Sequence, residues 1–248
     1  MRSFFKTIIF VVSAILLFPF FSQANNSVDR PVLIESEAAS PSLSSSEIKA
    51  RKAAVKIITE SGHGSGTYVL FNEFHIILTA SHVVTNRNEI IVVNEEESIT
   101  GILVYNNQVA DIAALLVEPM ETREPIRYRP FDGVPPIGRR VFYSGYPADH
   151  NLLTIRGLVS GYKEETRHGD VIIVHGYAWL GCSGAGVYDG LGRLVGILWA
   201  VDNLFFASPQ LVEDIIWISP ASNIDKELLM EGICSNRAEL SRCRKYDE

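Results

Sequence analysis

From residue 54 to residue 201 the chain is a succession of short apolar runs, none long enough for a core helix. AVKIIT, GTYVLF, HIILTA, EIIVV and ITGILVYN come first, separated by glycine or polar breaks. Such runs, rich in β-branched and aromatic residues and bounded by turn formers, are the pattern of antiparallel strands. A proline-rich connector follows, YRPFDGVPPIG (residues 128–138), and then a second set: RRVFYSGY, LLTIRGLVSGY, DVIIVHGYAW, AGVYD and RLVGILWAV. Two clusters of about six strands joined in this way predict an all-β chain of two packed six-stranded antiparallel β-barrels, over 52–127 and 138–220. Beyond Pro220 the pattern SNIDKELLMEGI is helical, so residues 221–248 are expected to form a short C-terminal helix and a charged tail.

The N-terminus has a different texture. Arg2 and Lys6 precede the apolar stretch TIIFVVSAILLFPFF, and Ser22, Gln23 and Ala24 then supply small residues of the kind a signal peptidase reads. Residues 1–24 are therefore expected to be a signal peptide cleaved after Ala24. A retained anchor is the alternative, although a span needs about 20 apolar residues and Pro19 interrupts this one. Residues 25–51, rich in Ser, Asn and Glu, read as a flexible linker ending in a short helical turn. The expected location is extracytoplasmic, periplasmic or secreted, with no stable membrane association once the signal is removed. Cleavage would take two of the 22 basic residues and none of the 29 acidic ones, leaving a net charge of −9. Such a surface repels phosphate backbones, and no basic stripe suited to nucleic acid is present. Nothing in the sequence specifies an oligomeric state. Of the three cysteines, Cys234 and Cys243 either bridge and close the tail or remain reduced, and Cys182 is left free. No paired cysteine spacing of a metal site occurs, and neither metal nor cofactor is expected.

Residues 181–190 read GCSGAGVYDG. Serine among glycines is either a tight turn or a nucleophile, and a nucleophilic serine needs a base and an acid that orients it. His82 follows an apolar run in LTASHVV, where it either caps a turn or serves as the base. Asp111 leads into the apolar run of VADIAALLVE, a place from which strands normally exclude Asp. A carboxylate there needs partners, which backbone N–H groups or a catalytic histidine would provide.

Taken together and in this order, TASHVV with His82, DIAALLV with Asp111 and GCSGAG with Ser183 resemble the motifs of chymotrypsin-like (trypsin-like) serine proteases. The texture is that of bacterial HtrA-type protease domains without PDZ domains, with Gly64-Ser65-Gly66 ahead of the histidine. The resemblance covers residues 52–220. It implies a chymotrypsin-like double barrel with the site in the cleft, a serine endopeptidase acting on polypeptide substrates, and a triad of His82, Asp111 and Ser183. It also implies an oxyanion hole of the Gly181 and Ser183 backbone N–H groups. Ala185 stands where the family often has glycine. In digestive relatives an Asp precedes the nucleophile and pairs with a newly cut N-terminus. Cys182 stands there instead, so activation by that ion pair is not expected. By the same resemblance Tyr177 would floor the pocket for the side chain before the scissile bond, and the strand Leu198 to Val201, with Leu198, Trp199 and Ala200 as the binding residues, would form its wall and pair with the substrate backbone. These residues favour a shallow pocket for small or medium apolar side chains, with simple core packing as the other reading. His63 and His175 either approach the cleft or, the favoured reading, are strand-end residues with structural hydrogen bonds.

Three competing readings have distinct consequences. An α/β-hydrolase elbow would need a histidine after the serine, and all six histidines precede Ser183. Cys182 as nucleophile does not fit the glycine spacing of the motif. A catalytically silent pseudoprotease that binds peptides or a protein partner would keep the cleft without turnover. Only 28 residues follow Pro220, so no C-terminal peptide-sensing domain is expected.

Overall fold

The structure, a computed structural model, describes residues 42–59, 62–84, 90–93, 97–165, 169–205, 209–237 and 243. The expected signal peptide and most of the expected linker and charged tail lie outside these residues. No helix among the described residues is long and apolar enough to cross a membrane.

Two closed six-stranded antiparallel barrels form the molecule. Barrel one comprises β1 (Ala54–Thr59), β2 (Gly62–Phe71), β3 (Phe74–Thr79), β4 (Ile90–Val93), β5 (Ser98–Asn107) and β6 (Ile112–Leu116). It closes through the pairing of β1 with β2, and the two-residue strand β7 (Ile126–Arg127) adds in parallel outside β2. Barrel two comprises β8 (Arg140–Gly145), β9 (Leu153–Glu165), β10 (Gly169–His175), β11 (Gly186–Asp189), β12 (Leu194–Phe205) and β13 (Pro209–Pro220). This is the chymotrypsin-like double barrel. Its sixth strand in barrel two, β13, was not among the runs read from sequence. Val212-Glu213-Asp214 interrupts its apolar pattern, yet Ile216 and Ile218 alternate inward with period two. They meet Val141, Tyr143, Ile172 and Val174 in the barrel core.

Helices frame the barrels. In place of the short helical turn expected at the end of the linker, α1 spans Ser45–Ala53 and is capped reciprocally: Ser44 Oγ accepts from the Glu47 N–H, and the Glu47 carboxylate accepts from the Ser44 N–H. Glu47 is buried and also accepts from the Arg156 guanidinium on β9. A one-turn helix, α2 (Ser81–Val84), follows β3, and α3 (Lys226–Cys234) packs on β5. Gly232 lies there so close to the Val104 carbonyl that a Cβ would stand 1.8 Å from it. Cys234 and Cys243 form a disulfide in the buried cluster of barrel one, and Cys182 is free and buried in barrel two.

Candidate active site

His82 and Asp111 meet in barrel one. Thr79 ends β3, Ala80 turns the chain outward, and α2 presents His82 with half its side chain exposed. Asp111 closes the turn between β5 and β6 at φ 52°, a left-handed angle that Asp tolerates better than most residues. That angle turns its carboxylate back onto α2. Oδ1 accepts the His82 backbone N–H at 2.8 Å, and Oδ2 lies 2.6 Å from His82 Nδ1. A carboxylate accepts only, so Nδ1 carries the proton and Nε2 keeps its lone pair. The Asp111 carbonyl also accepts from the Ser81 N–H at 3.2 Å, which fixes the start of α2.

Ser183 belongs to barrel two, on the turn that leads into β11. Gly181 and Gly184 flank it at φ 95° and 94°. A Cβ on Gly184 would stand 2.0 Å from the Ser65 carbonyl and 3.0 Å from the Ala80 nitrogen. Only glycine admits this approach, and it seats the Ser183 turn on the strand end that delivers His82. The Ser183 hydroxyl donates to the Trp199 carbonyl at 3.3 Å. Trp199 sits in a β-bulge: Leu198 pairs with Ile218 and Ala200 with Trp217, and the register shifts between them.

Two peptide planes of the turn are held from behind. The Leu180 carbonyl accepts from the Ala148 N–H at 2.6 Å, and the Cys182 carbonyl from the Ala185 N–H at 3.0 Å. In a trans peptide the N–H points opposite to the C=O, so the Gly181 and Ser183 amides face away from these anchors. Among the described residues neither amide donates to a protein group. Two such open N–H groups beside a hydroxyl are what a developing oxyanion requires.

The remaining predicted positions are distributed as follows. Tyr177 is 41 % exposed, so its ring is not core packing, and its carbonyl accepts from the Tyr143 hydroxyl at 2.7 Å. Leu198 differs from the expected wall: its side chain is in the core of barrel two, its N–H donates to Ala185 and its carbonyl accepts from Gly184. It braces the Ser183 turn, and Trp199 and Ala200 follow it along β12. The Trp199 ring packs edge-on against Trp217. Cys182 is buried beside the Tyr143 hydroxyl at 3.4 Å, and burial pushes its thiol pKa up, which suits packing rather than nucleophilic attack. His175 is an exposed strand-end residue whose Nδ1 lies 3.1 Å from the Asp214 carbonyl. No cluster of metal-ligand side chains occurs among the described residues. Sequence reasoning missed the hairpin loop 146–152 and its anchoring residue Ala148, which has φ 46° without being glycine and so gives no sequence signal.

Comparison with known proteins bears on the fold and the family. Residues 64–197, more than half of the chain, match the family described as "Trypsin-like peptidase domain". No curated protein matches. Among solved structures, the serine endoprotease from Yersinia pestis is similar with 24 % identity and a TM-score of 0.59, over 75 % of this chain and 66 % of that one. Rv3671c from M. tuberculosis in an inactive form is similar with 16 % identity and a TM-score of 0.58, over 80 % and 91 %. The HtrA-type protease AlgW with tripeptide is similar with 21 % identity and a TM-score of 0.59, over 71 % and 59 %.

Proposed function

The chain belongs to the trypsin-like peptidase family, and from that premise we propose that it is an exported serine endopeptidase in which His82, Asp111 and Ser183 act as one unit. The observation that carries the reading is the doubly held Asp111 carboxylate, which fixes both the backbone and the ring of His82 at the strand end where Gly184 seats the serine turn.

In this mechanism the Ser183 hydroxyl leaves the Trp199 carbonyl and turns to His82 Nε2. Its oxygen attacks the substrate carbonyl while Nε2 takes the proton, and the carbonyl oxygen becomes an oxyanion bound by the Gly181 and Ser183 N–H groups. Asp111 stabilises the imidazolium. Nε2 then protonates the leaving amine as the C–N bond breaks, and an acyl-enzyme remains. Water, deprotonated by the same nitrogen, attacks the acyl carbon, and the proton returns to Ser183 as the acid product departs. Trp199 and Ala200 form the wall along which a substrate strand lies, and Tyr177 borders the pocket for the residue before the scissile bond. The absence of an acidic residue at Tyr177 argues against selection for Arg or Lys. Basic residues before the apolar segment 7–21 support export.

The contact of the Ser183 hydroxyl with Trp199 instead of the imidazole is the one feature that favours a silent, peptide-binding pseudoprotease. Catalytic hydrogen bonds are often loose without substrate and tighten when it binds. The two readings separate in one assay, digestion of a denatured protein followed by mass spectrometry of the new termini. The expected result is cleavage by the wild type and none by Ser183→Ala. Peptide binding without cleavage by the wild type would establish the silent reading.

A further inference from the structure

We propose that Ser65 is a positioning residue that holds the Gly181–Ser183 turn in its anion-binding shape, with His63 as its auxiliary; this rests on the protease reading above. Two amides aimed at one point repel each other until an anion arrives, and glycines at 181 and 184 make other backbone angles accessible. Such a turn keeps its shape only if its planes are held from outside. The residue before the nucleophile offers no charge for this purpose: Cys182 is buried, and its sulfur faces the Tyr143 hydroxyl.

Ser65 supplies the hold from the opposite barrel. It is fully buried, and each of its polar groups engages a different part of the site. Its N–H donates to the Ser183 carbonyl at 2.8 Å, and its hydroxyl donates to the Gly181 carbonyl at 2.7 Å. The same hydroxyl accepts from the Tyr146 N–H at 3.0 Å, while its carbonyl accepts from the Thr79 hydroxyl at 2.8 Å. The Gly181–Cys182 and Ser183–Gly184 peptide planes, each adjoining a plane that carries one of the two open N–H groups, are thus pinned to β2. Tyr146 begins the loop whose Ala148 N–H holds Leu180, so the hydroxyl fixes the turn directly and through its second support.

The alternation of β2 explains why the stretch reads His-Gly-Ser-Gly. Successive side chains of a strand face opposite sides. Gly64 and Gly66 face the crowded interior of barrel one, where a Cβ would stand 2.7 Å from Val83 and 2.6 Å from Ile77. His63 and Ser65 face barrel two. His63 Nε2 lies 2.8 Å from the Tyr146 carbonyl, and its ring lies so close to Gly181 that a Cβ there would stand 2.6 Å from Nε2. Since a carbonyl only accepts, Nε2 donates.

The test uses the full chain and two readouts. Hydrogen exchange measures the hold itself: in Ser65→Ala, amides of residues 179–185 exchange at least tenfold faster than in the wild type. An unchanged rate overturns the proposal whether or not the protein turns over substrate. Kinetics measure the consequence. Loss of a whole oxyanion donor costs about 10²–10³ in kcat, so a loosened turn is expected to lower kcat about 10- to 100-fold with KM within twofold. A peptide boronate, which forms a tetrahedral adduct on serine, should bind weaker by a similar factor. Should Ser65→Ala fold poorly, the half-buried His63 gives a second pair: His63→Leu lowers kcat, and His63→Gln, which keeps an N–H donor, restores it. Equal kcat in Ser65→Ala, His63→Leu and the wild type overturns the positioning role. A wild type without Ser183-dependent hydrolysis would instead sink the protease reading and leave the exchange rates to decide about Ser65.

Discussion

At the scale of single residues, the site depends on one carboxylate in an uncommon backbone angle. Asp111 holds the His82 main chain with one oxygen and the ring with the other, so position and tautomer are set together. Asn tolerates the same left-handed angle, which makes Asp111→Asn a clean probe: its amide keeps the backbone bond through Oδ1 but presents N–H to Nδ1 and reverses the tautomer. The expected outcome is a fall in kcat on the order of 10³–10⁴ with KM little altered and the melting temperature nearly kept, read from steady-state kinetics and thermal unfolding. His82, Asp111 and Ser183 stand out as candidates because each is an odd residue in its local pattern: a histidine leaving an apolar run, an acid entering one, a serine among glycines. Ser65 was visible only as part of a motif. Its role arises from contacts across 81 to 118 positions of sequence, which no local pattern carries.

Among the elements, α1 departs most from what composition suggests. Serines and glutamates around residue 45 read as linker, although Ser44 with Glu47 three residues on is itself a capping-box signature. The helix leads into β1 of barrel one yet ties to barrel two, through Glu47 with Arg156, Arg51 with Thr154 and Ser46 with the Gly190 carbonyl. The hydrogen bonds from Arg156 outweigh burial and hold the Glu47 carboxyl at a pKa of about 2, below its ordinary 4.5. A depressed carboxylate pKa gives stability that is complete above the ordinary value and lost as pH falls towards the folded one. The melting temperature of the wild type should therefore exceed that of Glu47→Gln most at neutral pH, and the gap should narrow from about pH 4.5 downward. A gap independent of pH would show that shape alone, and not charge, fixes the helix. The strand β13 was lost from the sequence reading for the opposite reason: its acidic break hides a regular alternation that only the closed barrel makes plain.

For the whole molecule, the two barrels were legible because alternation repeats in almost every run, and the proline-rich connector separates the two sets. What sequence did not reveal is how closely the barrels meet. The seam is backbone against backbone, with Gly184 on Ser65 and Ala80 and the Ser65 N–H on the Ser183 carbonyl, so the Ser183 turn of one barrel is seated on the strand ends that lead to His82 in the other. The proposed chemistry would use that seam: a base fixed in barrel one, a hydroxyl and two open amides in barrel two. The most direct measurement is labelling of the native protein with a fluorophosphonate, located by mass spectrometry, in the wild type, His82→Ala and Ser183→Ala. The expected result is phosphonylation at Ser183 in the wild type, slowed by orders of magnitude in His82→Ala and absent in Ser183→Ala; a folded wild type that takes no label at Ser183, or takes it equally well without His82, would overturn the triad.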